Sequence, residues 1–292
     1  MTMNVGIIGL GNMGGGIAKN IALAGHRLMV WDMSEAARDA FADRAEIAKP
    51  SEMAAKADVI IFVVPGSPQI DTLLDPMLAV ARSGLILWDF TTSDPVYTKR
   101  LAVRAAESDV PYMDAGMTGG GAKGADEGTM TLMIGGAQDV LERSRPVLEA
   151  CAAKLIHLGP SGAGHTMKVV HNLITHTNFL ATSEAGRLAE AAGINLADMI
   201  EVFNAGNARS FISERRFPDH ILSGTWDGRS RIYNLRKDVG MAVSLAAELG
   251  SPMRIGHQTL AWLEAAVAAG MEEEDFTRLY PALPDLAPKD DD

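Results

Sequence analysis

Val5-Gly-Ile-Ile-Gly-Leu-Gly-Asn-Met-Gly14, followed after a helical run by Leu28-Met-Val-Trp-Asp32, reads as a buried strand, a glycine turn, a helix and a second strand that ends on an acid. Gly9, Gly11 and Gly14 form G-x-G-x-x-G directly after the apolar residues Val5, Ile7 and Ile8, with Leu10, Asn12 and Met13 between them. Each glycine meets a separate physical requirement. The first allows a tight turn, the second lets backbone approach a pyrophosphate, and the third lets helix and strand pack closely. The helix that follows offers unbonded N–H groups and a partial positive charge at its start. Its apolar positions Ile17, Ile21 and Ala22 recur at helical spacing. Asp32 stands where the ribose of a dinucleotide would lie. An acid there accepts the ribose hydroxyls of NAD and repels the 2′-phosphate of NADP, so NAD is the expected cofactor, although Arg38 nearby is a cation able to offset one acid.

The chain has 292 residues, 47% of them apolar and 22% charged, which suits two globular domains and excludes a disordered chain. Apolar runs such as Val59 to Pro65 are strand-sized, and the start of the chain lacks the pattern of a signal peptide, so no membrane partner and a cytoplasmic location are expected. A net charge of −11 argues against nucleic acid. The single cysteine, Cys151, excludes an internal disulfide and suits a small buried filler. Acids gather at Glu272 to Asp275 and Lys289 to Asp292, where Pro281, Pro284 and Pro288 lead us to expect an extended or disordered end.

Short apolar strands alternate with helical stretches through the first half, as a Rossmann-type doubly wound parallel sheet requires. The pattern predicts strands over 4–8, 27–31, 58–64, 85–89, 111–114, 130–134 and 154–157, with helices over 13–24, 34–43, 69–81, 95–107 and 138–150. After Gly159-Pro-Ser-Gly162 no proline interrupts the chain from Ala163 to Ala192, which gives a helix of about 45 Å. The expected domains are therefore 1–162, binding the cofactor, and 163–292, all-helical, with breaks at Gly193, Gly206, Gly224 to Gly228 and Gly250-Ser-Pro252. Pro65 and Thr92 follow strands and so fall at the carboxyl edge where such sheets bind ligands, on the cofactor's ribose side.

Four ordered blocks carry a resemblance to the β-hydroxyacid dehydrogenases, the 3-hydroxyisobutyrate dehydrogenase family, over almost the whole length. The first is Gly6-Ile-Ile-Gly-Leu-Gly-Asn-Met-Gly14 with Ala24-Gly-His26. The second is Asp114-Ala-Gly-Met-Thr-Gly-Gly120 with Gly128-Thr-Met-Thr-Leu-Met-Ile-Gly-Gly136, which looks like the substrate block. Gly162-Ala-Gly-His-Thr-Met-Lys-Val-Val-His-Asn172 looks like the catalytic helix, and Lys237-Asp238 like the segment that closes over the cofactor. The resemblance implies a homodimer or homotetramer acting on a small anionic substrate across a cleft.

Within these blocks Lys168 is the expected general acid/base, because moving a hydride from an alcohol carbon requires a proton to leave its oxygen. Desolvation and a positive nicotinamide ring would both favour the neutral amine that such a role needs. Asn172 lies four residues on, along the same helical face, and can hydrogen-bond the substrate. Thr118, Gly119 and Gly120 match the family's carboxylate-holding loop, but the family usually has Ala-Pro-Val-Ser-Gly-Gly where this chain has Ala115-Gly-Met-Thr-Gly-Gly120. His171 replaces a usual asparagine and is either a second substrate contact or a half-buried helix histidine. Lys237 is assigned to the cofactor. Arg209 is a candidate for the substrate's charged end within a stretch, Arg209 to Arg236, that is either a solvated surface or a steering field. His165, His171 and His176 make no metal site, since on a helix His171 points about 120° away from His165 and His176 lies about 16 Å along the axis. The reading is an NAD-dependent dehydrogenase of a small 3-hydroxy acid or its semialdehyde. Its rivals are an imine reductase, which usually lacks this lysine, and a dinucleotide-binding module without turnover.

Overall fold

The computed structural model describes residues 2–286, and the chain divides into two compact units, one running through Lys168 and the other starting at Val169. The first unit alternates β1 (Asn4–Ile8), α1 (Gly14–Leu23), β2 (Arg27–Trp31), α2 (Glu35–Asp39), β3 (Glu46–Ile47), α3 (Pro50–Ala54), β4 (Val59–Phe62) and α4 (Ser67–Leu78). It continues through β5 (Ile86–Asp89), α5 (Pro95–Ala106), β6 (Tyr112–Thr118), α6 (Gly121–Glu127), β7 (Met130–Gly135), α7 (Gln138–Cys151) and β8 (Ala152–Gly159). The strands form one sheet of order β3-β2-β1-β4-β5-β6-β7-β8. β1 thus lies between β2 and β4, in register Ile7↔Val30 and Ile7↔Ile61, and the winding reverses there.

Period-two alternation assigns the sheet's two faces. Ile7, Ile61 and Trp88 face one core with Ile17 and Leu132, while Ile8, Ile60, Phe62 and Leu87 face the other with Met53 and Leu74. With helices on both faces, a strand such as Val59–Phe62 is apolar at every position and wholly buried. Each such side chain contributes roughly 1.5–3 kcal/mol on burial.

Three elements escape the expected pattern, and one departs from it in direction. β3 is two exposed residues, too short to show a period. α3 begins on Pro50, which presets the first helical turn. α6 holds Gly121 and Gly124, poor helix formers, yet a Cβ at Gly124 would overlap the Gly119 carbonyl, so close packing demands the glycine. The sheet is not wholly parallel: β7 runs antiparallel to β6, with Thr118↔Thr131 paired. The connection through the short α6 gives too little chain for a parallel crossover, whereas α7 supplies one to the parallel β8.

α8 (Ala163–Ala191) starts in the first unit and continues into the second, which adds α9 (Leu196–Ala205), a π-helical segment (Ile212–Leu222), α10 (Ile232–Leu249), α11 (Arg254–Ala268) and α12 (Leu279–Leu286). The helix breaks fall at the glycines: Gly193, Gly224 and Gly250 all have positive φ. Among the described residues no strand follows α8; only the isolated bridge Arg231↔Asp275 occurs. The extended end is corrected as far as Leu286. α12 is helical despite Pro284, because Leu279, Tyr280, Leu283 and Leu286 are buried in the core with Phe179 and Phe217. Pro288 and Lys289 to Asp292 lie outside the described residues. No described helix is long and apolar enough to cross a membrane.

Candidate dinucleotide cradle and catalytic helix

The glycine turn sits at the carboxyl end of β1, at the reversal of winding. Gly9 has φ +98°, and a Cβ there would run into the Val63 carbonyl, while one at Gly14 would run into the carbonyl of Gly9. A Cβ on Gly11 meets nothing within 4 Å, which is what the position facing a pyrophosphate requires. Met13, the residue ahead of α1, makes no side-chain cap, so the helix's first N–H groups are not covered by the chain's own side chains. Asp32 is pinned by two backbone donors, Leu10 N–H to Oδ2 at 2.7 Å and Ser34 N–H to Oδ1 at 2.8 Å. A carboxylate has about four acceptor sites, so capacity for two ribose hydroxyls remains. Arg38 sits beside it, but donates to the carbonyls of Asp32 (2.6 Å) and Met33 (3.1 Å) and lies 4.9 Å over the Trp31 ring. Pro65 follows β4 and Thr92 follows β5. The two loops are joined where Val64 N–H donates to Thr91 Oγ1 at 3.3 Å. The donors, the open glycine and the acid fit a dinucleotide.

Lys168 belongs to the same unit. Its Nζ donates to the Met117 carbonyl at 2.7 Å, next to Thr118 at the end of β6. Gly119, Gly120 and Gly121 follow with φ of +97°, +101° and +57°, a run that L side chains rarely adopt, and Gly119 and Gly120 are exposed. The structure therefore brings the lysine to the strand end that carries the glycine loop.

In the second unit Asn172 is buried, and its Nδ2 donates to Asp238 Oδ2 on α10 at 2.6 Å, while Oδ1 lies 3.1 Å from His171 Nδ1. Lys237 Nζ stands 3.6 Å from Asp238 Oδ1, and His176 Nε2 3.9 Å from Oδ2. Arg209 is not gathered with them: it is exposed and pairs with Glu214 at 3.5 Å in its own segment. Three of the arginines after it are similarly matched, Arg215 with Asp219, Arg231 with Glu273 and Arg236 with Glu264. Arg216 instead stacks on Phe211 and Phe276, where desolvation pulls its guanidinium below the usual range. The stretch is an ion-paired surface more than a bare basic field. Burial pushes the Cys151 thiol up to about 12, which suits a filler and not a nucleophile.

Three buried residues that meet around the start of α8, Asp114 on β6, Asp89 on β5 and His165 on α8 itself, were not singled out for these roles by the sequence. Asp114 accepts N–H from Gly162 at 2.6 Å and from His165 at 2.9 Å, capping the helix. His165 reaches Thr98 Oγ1 and the Asp89 carbonyl through its two ring nitrogens. Asp89 accepts from Thr91 N–H, Ser93 Oγ and Tyr112 Oη, and burial raises its pKa. The available signal was an acid inside otherwise apolar strands, Ile86-Leu-Trp-Asp89 and Tyr112-Met-Asp114.

Comparison with known proteins agrees with this arrangement. A family model of the NAD binding domain of 6-phosphogluconate dehydrogenase matches residues 4–159, and one described as NAD-binding of NADP-dependent 3-hydroxyisobutyrate dehydrogenase matches residues 162–283. A probable mitochondrial 3-hydroxyisobutyrate dehydrogenase of Dictyostelium discoideum is 32% identical, over 96% of this chain and 90% of that one. The 2-(hydroxymethyl)glutarate dehydrogenase of Eubacterium barkeri is 30% identical over 94% and 93%. The solved 3-hydroxyisobutyrate dehydrogenase of Mycobacterium tuberculosis with L-serine superposes with a TM-score of 0.90 at 27% identity, covering 97% of this chain and 99% of that one. With both halves matched and the cradle and lysine in place, the chain belongs to the 3-hydroxyisobutyrate dehydrogenase family of β-hydroxyacid dehydrogenases.

Proposed function

We propose that this protein is an NAD-dependent dehydrogenase that interconverts a small 3-hydroxy acid and its aldehyde or ketone. The observation that carries the reading is Lys168 Nζ at 2.7 Å from the Met117 carbonyl, beside the Thr118 to Gly120 loop and in the same unit as the glycine cradle. Bound NAD supplies the hydride acceptor. Gly9 to Gly14 would hold its pyrophosphate, Asp32 would accept its ribose hydroxyls, and Pro65 and Thr92 would lie on its ribose side. Lys168 takes the proton from the substrate hydroxyl in oxidation and returns it in reduction. Thr118 supplies a hydroxyl, and Gly119 and Gly120 supply backbone N–H groups, to the substrate's carboxylate. Asn172 holds the substrate by its amide, which Asp238 keeps oriented. Lys237 contributes at the cofactor, and His171 is a second contact.

The test is turnover of a panel of 3-hydroxy acids, carboxylated and sulfonated, with their neutral amide analogues. The acids should exceed the amides by at least about tenfold in kcat/KM, because the loop's hydroxyl and N–H donors bond an anion more strongly than a neutral group. Lys168→Ala should lower kcat by roughly 10²–10⁴ while NAD affinity stays within a few-fold. A Lys168→Ala enzyme with more than about a tenth of the original rate, or amides turned over as well as acids, would sink the assignment.

A further inference from the structure

We infer that His165 is a positioning residue that locks the helix bearing Lys168 to the loop on which the cofactor's ribose side would rest; the inference builds on the proposed dehydrogenase reading. The residue is fully buried and bonds three elements, one through its backbone and two through its ring. Its backbone N–H donates to Asp114 Oδ2 on β6 at 2.9 Å. Its Nδ1 lies 2.8 Å from Thr98 Oγ1 on α5, and its Nε2 lies 3.1 Å from the carbonyl oxygen of Asp89 at the end of β5. A carbonyl only accepts, so Nε2 carries a proton and donates; the one proton of the threonine hydroxyl lies within reach of both Nδ1 and the Asp94 carbonyl oxygen, 3.0 Å away.

The Asp89 that receives this bond also shapes the loop after β5. Its Oδ1 accepts Thr91 N–H at 2.9 Å, and its Oδ2 accepts Ser93 Oγ at 3.1 Å and Tyr112 Oη at 3.0 Å. Thr92 is thereby fixed between two anchored neighbours, and Thr91 Oγ1 in turn receives Val64 N–H next to Pro65. A continuous hydrogen-bonded path runs from the Pro65 loop through Thr91 and Asp89 to His165. Three residues further along α8, on the same face of the helix, stands Lys168. The group that handles the proton and the loop that flanks the cofactor are registered through one imidazole. A displacement of about 1 Å in such a register is enough to cost on the order of 10² in rate.

A buried histidine with a merely structural role would lower the melting temperature on replacement, by leaving its partners unpaired, and would leave kcat and NAD affinity where they were. The experiment compares His165→Leu with His165→Gln, whose amide can still donate to the Asp89 carbonyl. NAD dissociation constants are measured by calorimetry, melting by circular dichroism, and kcat and KM with the best acid of the panel. The leucine variant should lose about tenfold or more in kcat and bind NAD at least about threefold more weakly, with KM for the acid within about twofold. The glutamine variant should recover at least about half of kcat. The inference is overturned if the folded leucine variant keeps kcat and NAD affinity within about twofold of the original, or if glutamine is no better than leucine. Should the leucine variant fail to fold, Thr98→Val removes only the Nδ1 partner. It is expected to cost about threefold or more in kcat, and an unchanged kcat would overturn the inference. If no 3-hydroxy acid were turned over by the original protein, the dehydrogenase reading would fail. The NAD affinities of the two His165 variants would still decide the link to the loop.

Discussion

A methyl group at position 116 would place its carbon 2.5 Å from the Cβ of Lys168 and 3.0 Å from the Gly164 carbonyl oxygen. Both are too close for non-bonded atoms to meet without displacement. Gly116 therefore lets α8 lie directly on β6. Gly116→Ala should push the Lys168 stem outward, lowering kcat by about tenfold while NAD affinity is kept, as steady-state kinetics and calorimetry on the same preparation would register. A rate within about twofold of the original would contradict the close approach. At this scale legibility was uneven for a physical reason. Gly9, Gly11 and Gly14 were readable from their spacing within a single turn, where Gly9 has a positive φ and a Cβ on Gly14 would meet the Gly9 carbonyl. His165 and Asp114 were not, because their partners lie far off in the chain: the Asp89 carbonyl is 76 residues from His165, and the Gly162 N–H is 48 from Asp114.

α8 begins on a carboxylate borrowed from a strand. Asp114 uses both oxygens, one for the N–H of Gly162 and the other for that of His165. Asp114→Asn keeps the shape but sets an amide NH₂ against one of those N–H groups, which should cost about 1–3 kcal/mol. A urea midpoint lowered in proportion, at unchanged slope, is the expected record; an unaltered midpoint would show that the cap contributes nothing. Among the elements, the first two strands fall where their short apolar runs put them, at Asn4–Ile8 and Arg27–Trp31. The direction of β7 was not readable, because a strand buried on both faces has the same pattern whichever way it runs. Nor was α12, since Pro281 and Pro284 signal a break locally while four buried side chains hold the turn in place. The sequence-level expectation failed where tertiary packing overrode propensity.

Each unit of the whole molecule has its own core, and the glycine cradle lies in the first, together with Cys151. The thiol, buried and pushed up to about 12, is inert to alkylation until that unit opens. NAD at about 100 times its dissociation constant should stabilise the folded form by about 2.7 kcal/mol and slow labelling of Cys151 by about a hundredfold. Labelling followed by mass spectrometry would measure this, and a rate indifferent to NAD would place the binding elsewhere. The two units are not modular parcels, however, because α8 runs from Ala163 to Ala191 across the division after Lys168. A chimera spliced at the loop before Ala163 would present a foreign helix to Asp114, Gly116 and Asp89. One spliced beyond Lys168 would keep that fitted first stretch but must join two helices in phase, since each residue of slippage turns the face carrying Asn172 by about 100°. Recombination among relatives is thus confined to junctions inside a helix and in strict helical register, a narrow passage through which this part of the chain would be inherited whole.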